Sequence, residues 1–106
     1  MMSKPKILAA LELATSDAAI YTVPANTKAA ATAVVFFNRS GGTRTVHLQS
    51  KKSGGGTRKL QQYSINQNEG KDYLVVQFLE PADEIRAHAD AASVDATVFG
   101  LEFPQV

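Results

Sequence analysis

Apolar residues along this chain recur at every second position in short runs separated by turn formers, a rhythm that predicts strands throughout. Ile7 to Leu13 places Ile7, Ala9, Leu11 and Leu13 on one face and Glu12 on the other. Ala18 to Val23 stops at Pro24, and Pro24-Ala25-Asn26-Thr27 has the make-up of a turn. Ala29 to Phe37 is almost wholly apolar and halts at Asn38-Arg39-Ser40-Gly41-Gly42. Its Val34, Val35, Phe36 and Phe37 point to both faces, which predicts a central strand or one covered on both sides. The alanines at 29–31 would tolerate a helix, but the β-branched and aromatic residues after them favour a strand.

Thr43 to Gln49 alternates cleanly, with Val46 and Leu48 on one face and Thr45, His47 and Gln49 on the other. Ser50 to Gly56 (SKKSGGG) predicts a flexible loop. Arg58 to Ile65 is a weaker strand anchored by Leu60, Tyr63 and Ile65, and Asn66 to Gly70 is a turn. Tyr73 to Leu79 reads as one strand closed by Glu80-Pro81-Ala82-Asp83, where the lack of glycine predicts a type I turn led by proline. Glu84 to Ala89 sends Ile85, Ala87 and Ala89 inward and Glu84, Arg86 and His88 outward. In the last strand, Val94 to Phe103, one face carries Val94, Ala96, Val98 and Gly100, the other Phe99, Leu101 and Phe103. A second apolar face in so small a domain predicts a subunit contact, or cover by Ile7 to Leu13 of the same chain.

Seven or eight strands emerge from this pass. Their spacing of about eight to twelve residues predicts an all-β fold, a small antiparallel β-sandwich of jelly-roll or Ig-like kind in preference to a closed barrel. Residues 1–17 read as an N-terminal strand or arm and 18–106 as the sandwich, one domain overall. With 106 residues, 44% hydrophobic and 20% charged, the chain suits one packed core and not disorder. It has no cysteine, so disulfides and thiolate metal sites are excluded. No apolar run is long enough for a membrane span, and polar residues from Glu12 to Asp17 interrupt any secretory signal.

Charge changes the picture more than composition does. Arg39, Arg44, Lys51, Lys52, Arg58 and Lys59 are six cations in a stretch without an acid. From Glu69 to Glu102, eight acids, among them Glu80, Asp83 and Glu84, face only Lys71 and Arg86. The basic stretch 39–59 invites a nucleic-acid reading, but it has little aromatic surface for stacking bases, Tyr63 being nearest. Complementarity between neighbouring copies and ion pairs within one copy are the other readings. The candidate interface is therefore these six cations, Glu80, Asp83 and Glu84, together with Phe99, Leu101 and Phe103.

Catalytic chemistry finds no foothold. His47 and His88 are the only histidines and sit at outward positions, where they read as surface residues; a metal shared with Asp90 has no local support. Ser53 and Ser64 lack a nucleophile turn, and Asp83-Glu84 are neighbours that face opposite sides of a strand. Ser53-Gly54-Gly55-Gly56-Thr57 lacks the setting and ending of a phosphate loop. No enzyme activity, metal or cofactor is expected.

Three stretches carry a family resemblance: Ile20-Tyr21-Thr22-Val23-Pro24-Ala25-Asn26-Thr27; Ala33 to Gly41, ending Asn38-Arg39-Ser40-Gly41; and Asp83-Glu84-Ile85-Arg86-Ala87 followed by Val98-Phe99-Gly100-Leu101-Glu102. In this order they resemble the small β-sandwich virion proteins of tailed bacteriophages and prophages, over roughly residues 18–103. The resemblance implies a capsid decoration (cement) protein, or a neck, tail or baseplate component, in a virion assembled in the host cytoplasm. Its implied partners are copies of itself, a trimer being one candidate, and a major capsid, neck or tail protein. A carbohydrate- or receptor-binding module is the alternative from another class, although tryptophan is absent and the tyrosines number three.

Overall fold

The computed structural model describes residues 6–74 and 76–104. Among the described residues there are nine strands: β1 (Lys6–Glu12), β2 (Ala18–Thr22), β3 (Thr27–Asn38), β4 (Arg44–Lys51), β5 (Thr57–Ile65), β6 (Glu69–Tyr73), β7 (Gln77–Leu79), β8 (Glu84–Ala89) and β9 (Val94–Pro104). They form two antiparallel sheets. One runs β1-β9-β3-β6, with β7 also on β3, and the other runs β2-β8-β4-β5.

If β6 and β7 are taken as one interrupted strand, the pairing is nested: β4 with β5, β3 with β6/β7, β2 with β8, β1 with β9. This is one long hairpin rolled into two sheets, the jelly-roll arrangement. The expected all-β antiparallel sandwich is therefore present, and of its two kinds it is the jelly roll. The extra strand arises where Tyr73 to Leu79 was expected to be continuous. The pairing with β3 runs to Tyr73 and is found again from Gln77, and Leu74 and Val76 belong to neither strand.

The core follows from the alternation. Val34 and Phe36 of β3, Val46 and Leu48 of β4, Ile85, Ala87 and Ala89 of β8, and Val94, Ala96 and Val98 of β9 all face inward and are buried. Phe36 packs on Tyr63 with ring centroids 5.9 Å apart. β3 is central, as expected, with β9 along one edge and β6 and β7 along the other. It is not covered on both faces, since Phe37 is 43% exposed. The Pro81 turn also differs from expectation. Ala82 has φ of 68°, so the turn is type II, closed by the Asp83 N–H donating to the Glu80 carbonyl at 3.0 Å. Alanine tolerates this left-handed conformation because its own N–H is held by the Val23 carbonyl at 3.0 Å.

The three resembling stretches acquire physical roles. Asn38 is fully buried; its Nδ2 donates to the carbonyls of Gly42 and Ile65, both at 2.8 Å, and its Oδ1 accepts from the Ser40 N–H at 2.9 Å. The Tyr21 hydroxyl donates to Glu102 Oε2 at 2.6 Å, while Lys6 Nζ meets Oε1 at 2.6 Å, so β2, β9 and β1 are tied across the two sheets. The Lys6 ammonium and the Tyr21 hydroxyl hold Glu102 below the usual carboxylate range, and burial together with Glu102 drives the Tyr21 phenol upward. Gly100 stands where β3 bulges between Ala31 and Ala33, with the Ala30 carbonyl too close to admit a side chain.

Candidate functional site: an apolar sheet face

Cross-strand partners share a face, so the register maps the outer surface of the β1-β9-β3 sheet directly. Ile7, Phe99 and Ala33 form one row, Leu101, Ala30 and Phe78 the next, and Phe103 lies beside Lys28. Towards the other end, Thr97 and Val35 are followed by Phe37. This face is solvent-exposed: Phe78 is 81% exposed, Ile7 58%, Phe37 43%, Phe103 40% and Phe99 37%. Leu74 and Val76, in the break between β6 and β7, are exposed as well. The four phenylalanines together expose the equivalent of two whole side chains. At about 200 Å² each, that is roughly 400 Å², the size at which apolar patches on monomers mark binding sites.

Of the expected contact residues, Phe99, Leu101 and Phe103 do lie together on this face. Phe37, Phe78, Ile7, Leu74 and Val76 were not singled out in the sequence. A signal existed: residues 74–79 are apolar on both faces, as the last strand is.

The charged candidates lie off the centre of this face, at strand ends of the first sheet and around the second sheet and its loops, and most meet partners within the chain. Arg39 bridges Glu12 at 2.5 Å and Asp95 at 3.0 Å, joining β1 and β9 at the end of β3. Arg44 donates to the Ala92 carbonyl at 3.2 Å. Glu80 pairs with Lys28 at 3.6 Å and Glu84 with Arg86 at 2.5 Å. Lys51, Arg58 and Lys59 make no ion pair among the described residues. Arg58 and Lys52, with Ser50, Gly55 and Gly56, line an open cleft of about 290 Å³ at the hairpin tip. There Gly54 takes a φ of 76°, which suits glycine in so tight a turn.

Asp83 is placed differently from expectation. It is 3% exposed and serves the turn, not an outer contact: its carboxylate accepts from the amides of Ser53 at 2.8 Å and Glu80 at 2.9 Å, with Lys52 at 3.7 Å. Burial pushes its proton affinity up, but the two amides and the Lys52 ammonium outweigh burial and hold it below the usual carboxylate range. Both Asp83 and Glu102 thus bind protons less readily folded than unfolded. Their contribution is present above the unfolded values and is lost as pH falls through the folded ones. Urea midpoints measured from pH 7 to pH 3 are expected to fall steeply below about pH 4.5. Asp83→Asn should lower the midpoint at pH 7 and flatten that acid limb; an unchanged limb in the variant would count against this role.

On the outer face of the second sheet, His47 and His88 stand opposite each other on β4 and β8. Their rings stack with centroids 4.7 Å apart and planes 15° apart. Burial lowers the proton affinity of His47, helped by His88 and Lys59 and opposed by Asp90.

No family model matches the sequence, and no curated protein matches it. Solved structures superpose on this chain to different degrees. A protein of Bacillus endospore appendages, described as forming a novel family of disulfide-linked pili, superposes with a TM-score of 0.57 at 10% identity, covering 99% of this chain and 88% of that one. The CBM22-1–GH10 modules of Clostridium thermocellum xylanase 10B, complexed with xylohexaose, give a TM-score of 0.46 at 10% identity over 98% of this chain and 24% of theirs. A pentameric capsid protein isolated from metagenomic phage sequences gives 0.44 at 15% identity over 93% and 63%. The first of these supports the sandwich fold; the other two are too distant to argue from.

Proposed function

We propose that this protein is a non-enzymatic structural subunit that associates with copies of itself through the outer face of the β1-β9-β3 sheet, and that it serves as a decoration (cement) protein on a phage head. One observation carries the reading: Ile7, Phe37, Phe78, Phe99 and Phe103 are exposed together on one sheet face. A standard interface buries about 800 Å² on each partner, so an apolar centre of roughly 400 Å² supplies about half of one. At the rim Lys28 pairs with Glu80, and Glu12 and Asp95 with Arg39, so these charges are met within the chain. The apolar centre is what favours a second copy, offering like patches to a two-fold pairing.

The phage setting draws on the three resembling stretches, whose buried asparagine, cross-sheet tyrosine–glutamate bond and glycine each have a structural role. A fold shared with a pilus-forming appendage protein agrees with assembly, although a chain without cysteine would assemble non-covalently. In this reading the self-associated protein docks on a capsid protein of the virion; a neck, tail or baseplate position would use the same face. The in-chain bonds of Arg39, Arg44 and Lys52 leave fewer cations for nucleic acid.

Light scattering at moderate salt tests the proposal. The wild type is expected to be larger than one chain, and Phe78→Ser with Phe99→Ser to weaken association about 30-fold or more, as lost aromatic anchors do. Phe78→Ser alone, at a residue 81% exposed, should weaken association while the thermal midpoint hardly moves, whereas Phe99, only 37% exposed, is expected to cost some stability as well. A wild type that stays monomeric and fails to bind particles lacking it would overturn the reading.

A further inference from the structure

The stacked histidines lie on the opposite side of the molecule from the apolar face, on the two central strands of the second sheet. β8 is held between β2 and β4, and β4 between β8 and β5, so the backbone that carries both rings is fixed by hydrogen bonds on either side. His47 and His88 are direct cross-strand partners with nearly parallel rings. As they stand, the stacked rings hold their nitrogen lone pairs in nearly parallel planes, so a shared metal about 2.0–2.1 Å from each nitrogen requires the rings to turn until one nitrogen of each points to the same spot.

A second observation marks the same patch. The Nδ1 of His88 is buried without a hydrogen-bond partner, and so is the Oε1 of Gln49. Gln49 pairs with Arg86, two positions from His88, so it is a diagonal neighbour on the same face. Orphaned buried polar atoms of this kind call for a reason.

We infer that His47 and His88 form a bis-imidazole site for a first-row transition-metal dication of the kind that favours nitrogen ligands, such as Zn²⁺, Ni²⁺ or Cu²⁺. Each ring offers one outward nitrogen to the ion. When His88 binds through Nε2, its Nδ1 carries the proton, and a small turn of the ring or of Gln49 would bring the unpartnered Gln49 Oε1 into reach as its acceptor, as carbonyls do behind metal-bound histidines. No three metal-binding side chains converge among the described residues, so water completes the coordination. The charges near the site are mixed. Asp90 favours a cation; Lys59, whose ammonium donates to Gln62 Oε1, opposes it. Hard ions such as Mg²⁺ have no oxygen cage here.

Titration of the whole chain with Zn²⁺ by calorimetry, with the imidazole resonances followed by NMR, tests the site. One ion per chain is expected, with both rings shifting together. His47→Gln and His88→Gln should each weaken binding about tenfold or more, since even outer-shell losses at metal sites cost that much. Lys59→Gln should tighten binding, and Mg²⁺ should shift neither ring. Zn²⁺ binding that survives either histidine change undiminished would overturn the inference, as would a shift confined to one ring. The site stands on the polar sheet alone and does not depend on self-association.

Discussion

A Gly100→Ala chain is expected to lose about 3 kcal/mol of stability or more, or to fail to fold. A Cβ added at Gly100 would stand 2.2 Å from the Ala30 carbonyl oxygen, 2.9 Å from Ala31 Cα and 3.0 Å from Leu8 Cδ1. The leucine methyl can swing aside. The two backbone contacts cannot, because β3 and β9 are paired from Thr27↔Pro104 to Asn38↔Val94 and bulge at this one place. Relief would require opening the longest pairing in the molecule. The urea midpoint measures the loss, and Gly56→Ala is the control: nothing lies within 4 Å of its added methyl, so a change within about 0.5 kcal/mol is expected. Equal effects at the two glycines would contradict the steric account.

Asn38→Ala comes next, with an expected cost of about 3 kcal/mol. The change strips the buried Ile65 carbonyl of a donor and the Ser40 amide of its acceptor, while the part-buried Gly42 carbonyl loses one donor and keeps the Ser40 hydroxyl. Each group left buried and unpaired costs about 1–3 kcal/mol, with partial relief where the loop 39–43 can admit water. Ser40→Ala removes a hydroxyl that meets Asn38 Oδ1 at 2.6 Å and the Gly42 carbonyl at 2.8 Å but leaves the asparagine's own amide bonds in place, so about 1 kcal/mol is expected. If the asparagine proved no more costly than the serine, the network would not be what anchors this corner.

These two positions show how far the sequence could be read. Both fall in stretches noticed for their resemblance, but neither role was visible. A glycine in a strand announces a close approach without saying to what, and an asparagine before a turn reads first as a turn former. The strands themselves were legible because alternation is a local property: β4, β8 and β9 appear where Val46/Leu48, Ile85/Ala87/Ala89 and Val94/Ala96/Val98 put them. Their order was not legible, since nothing near Leu11 indicates that Ala96 will be its partner.

The site was half legible for the same reason. Phe99, Leu101 and Phe103 stood out by lying opposite a core face of their own strand. Phe78 did not, because its exposure depends on β7 ending up at a sheet edge with no strand beyond it. The opposed charge stretches were real in sequence, but folding brings Lys52 to Asp83 and sets Lys51 opposite Glu84. Much of the apparent complementarity is consumed inside one chain.

The nested pairing governs how the chain can acquire its shape. The loop that β4 and β5 close is short, with Lys51 opposite Thr57. Each later pair spans more chain: Asn38 with Glu69, then Thr22 with Glu84, then Glu12 with Asp95. Closing the central hairpin first shortens the effective loop for the next pair, so assembly outward from the middle meets the smallest entropic barrier at every step. On a ribosome that order has a cost. β1, β2 and the apolar β3 emerge early and wait, unpaired, for partners made last. Until β9 clears the exit tunnel, the alanine- and phenylalanine-rich β3 is the segment most exposed to nascent neighbours, and a chaperone that shields residues 29–37 would act at the vulnerable moment.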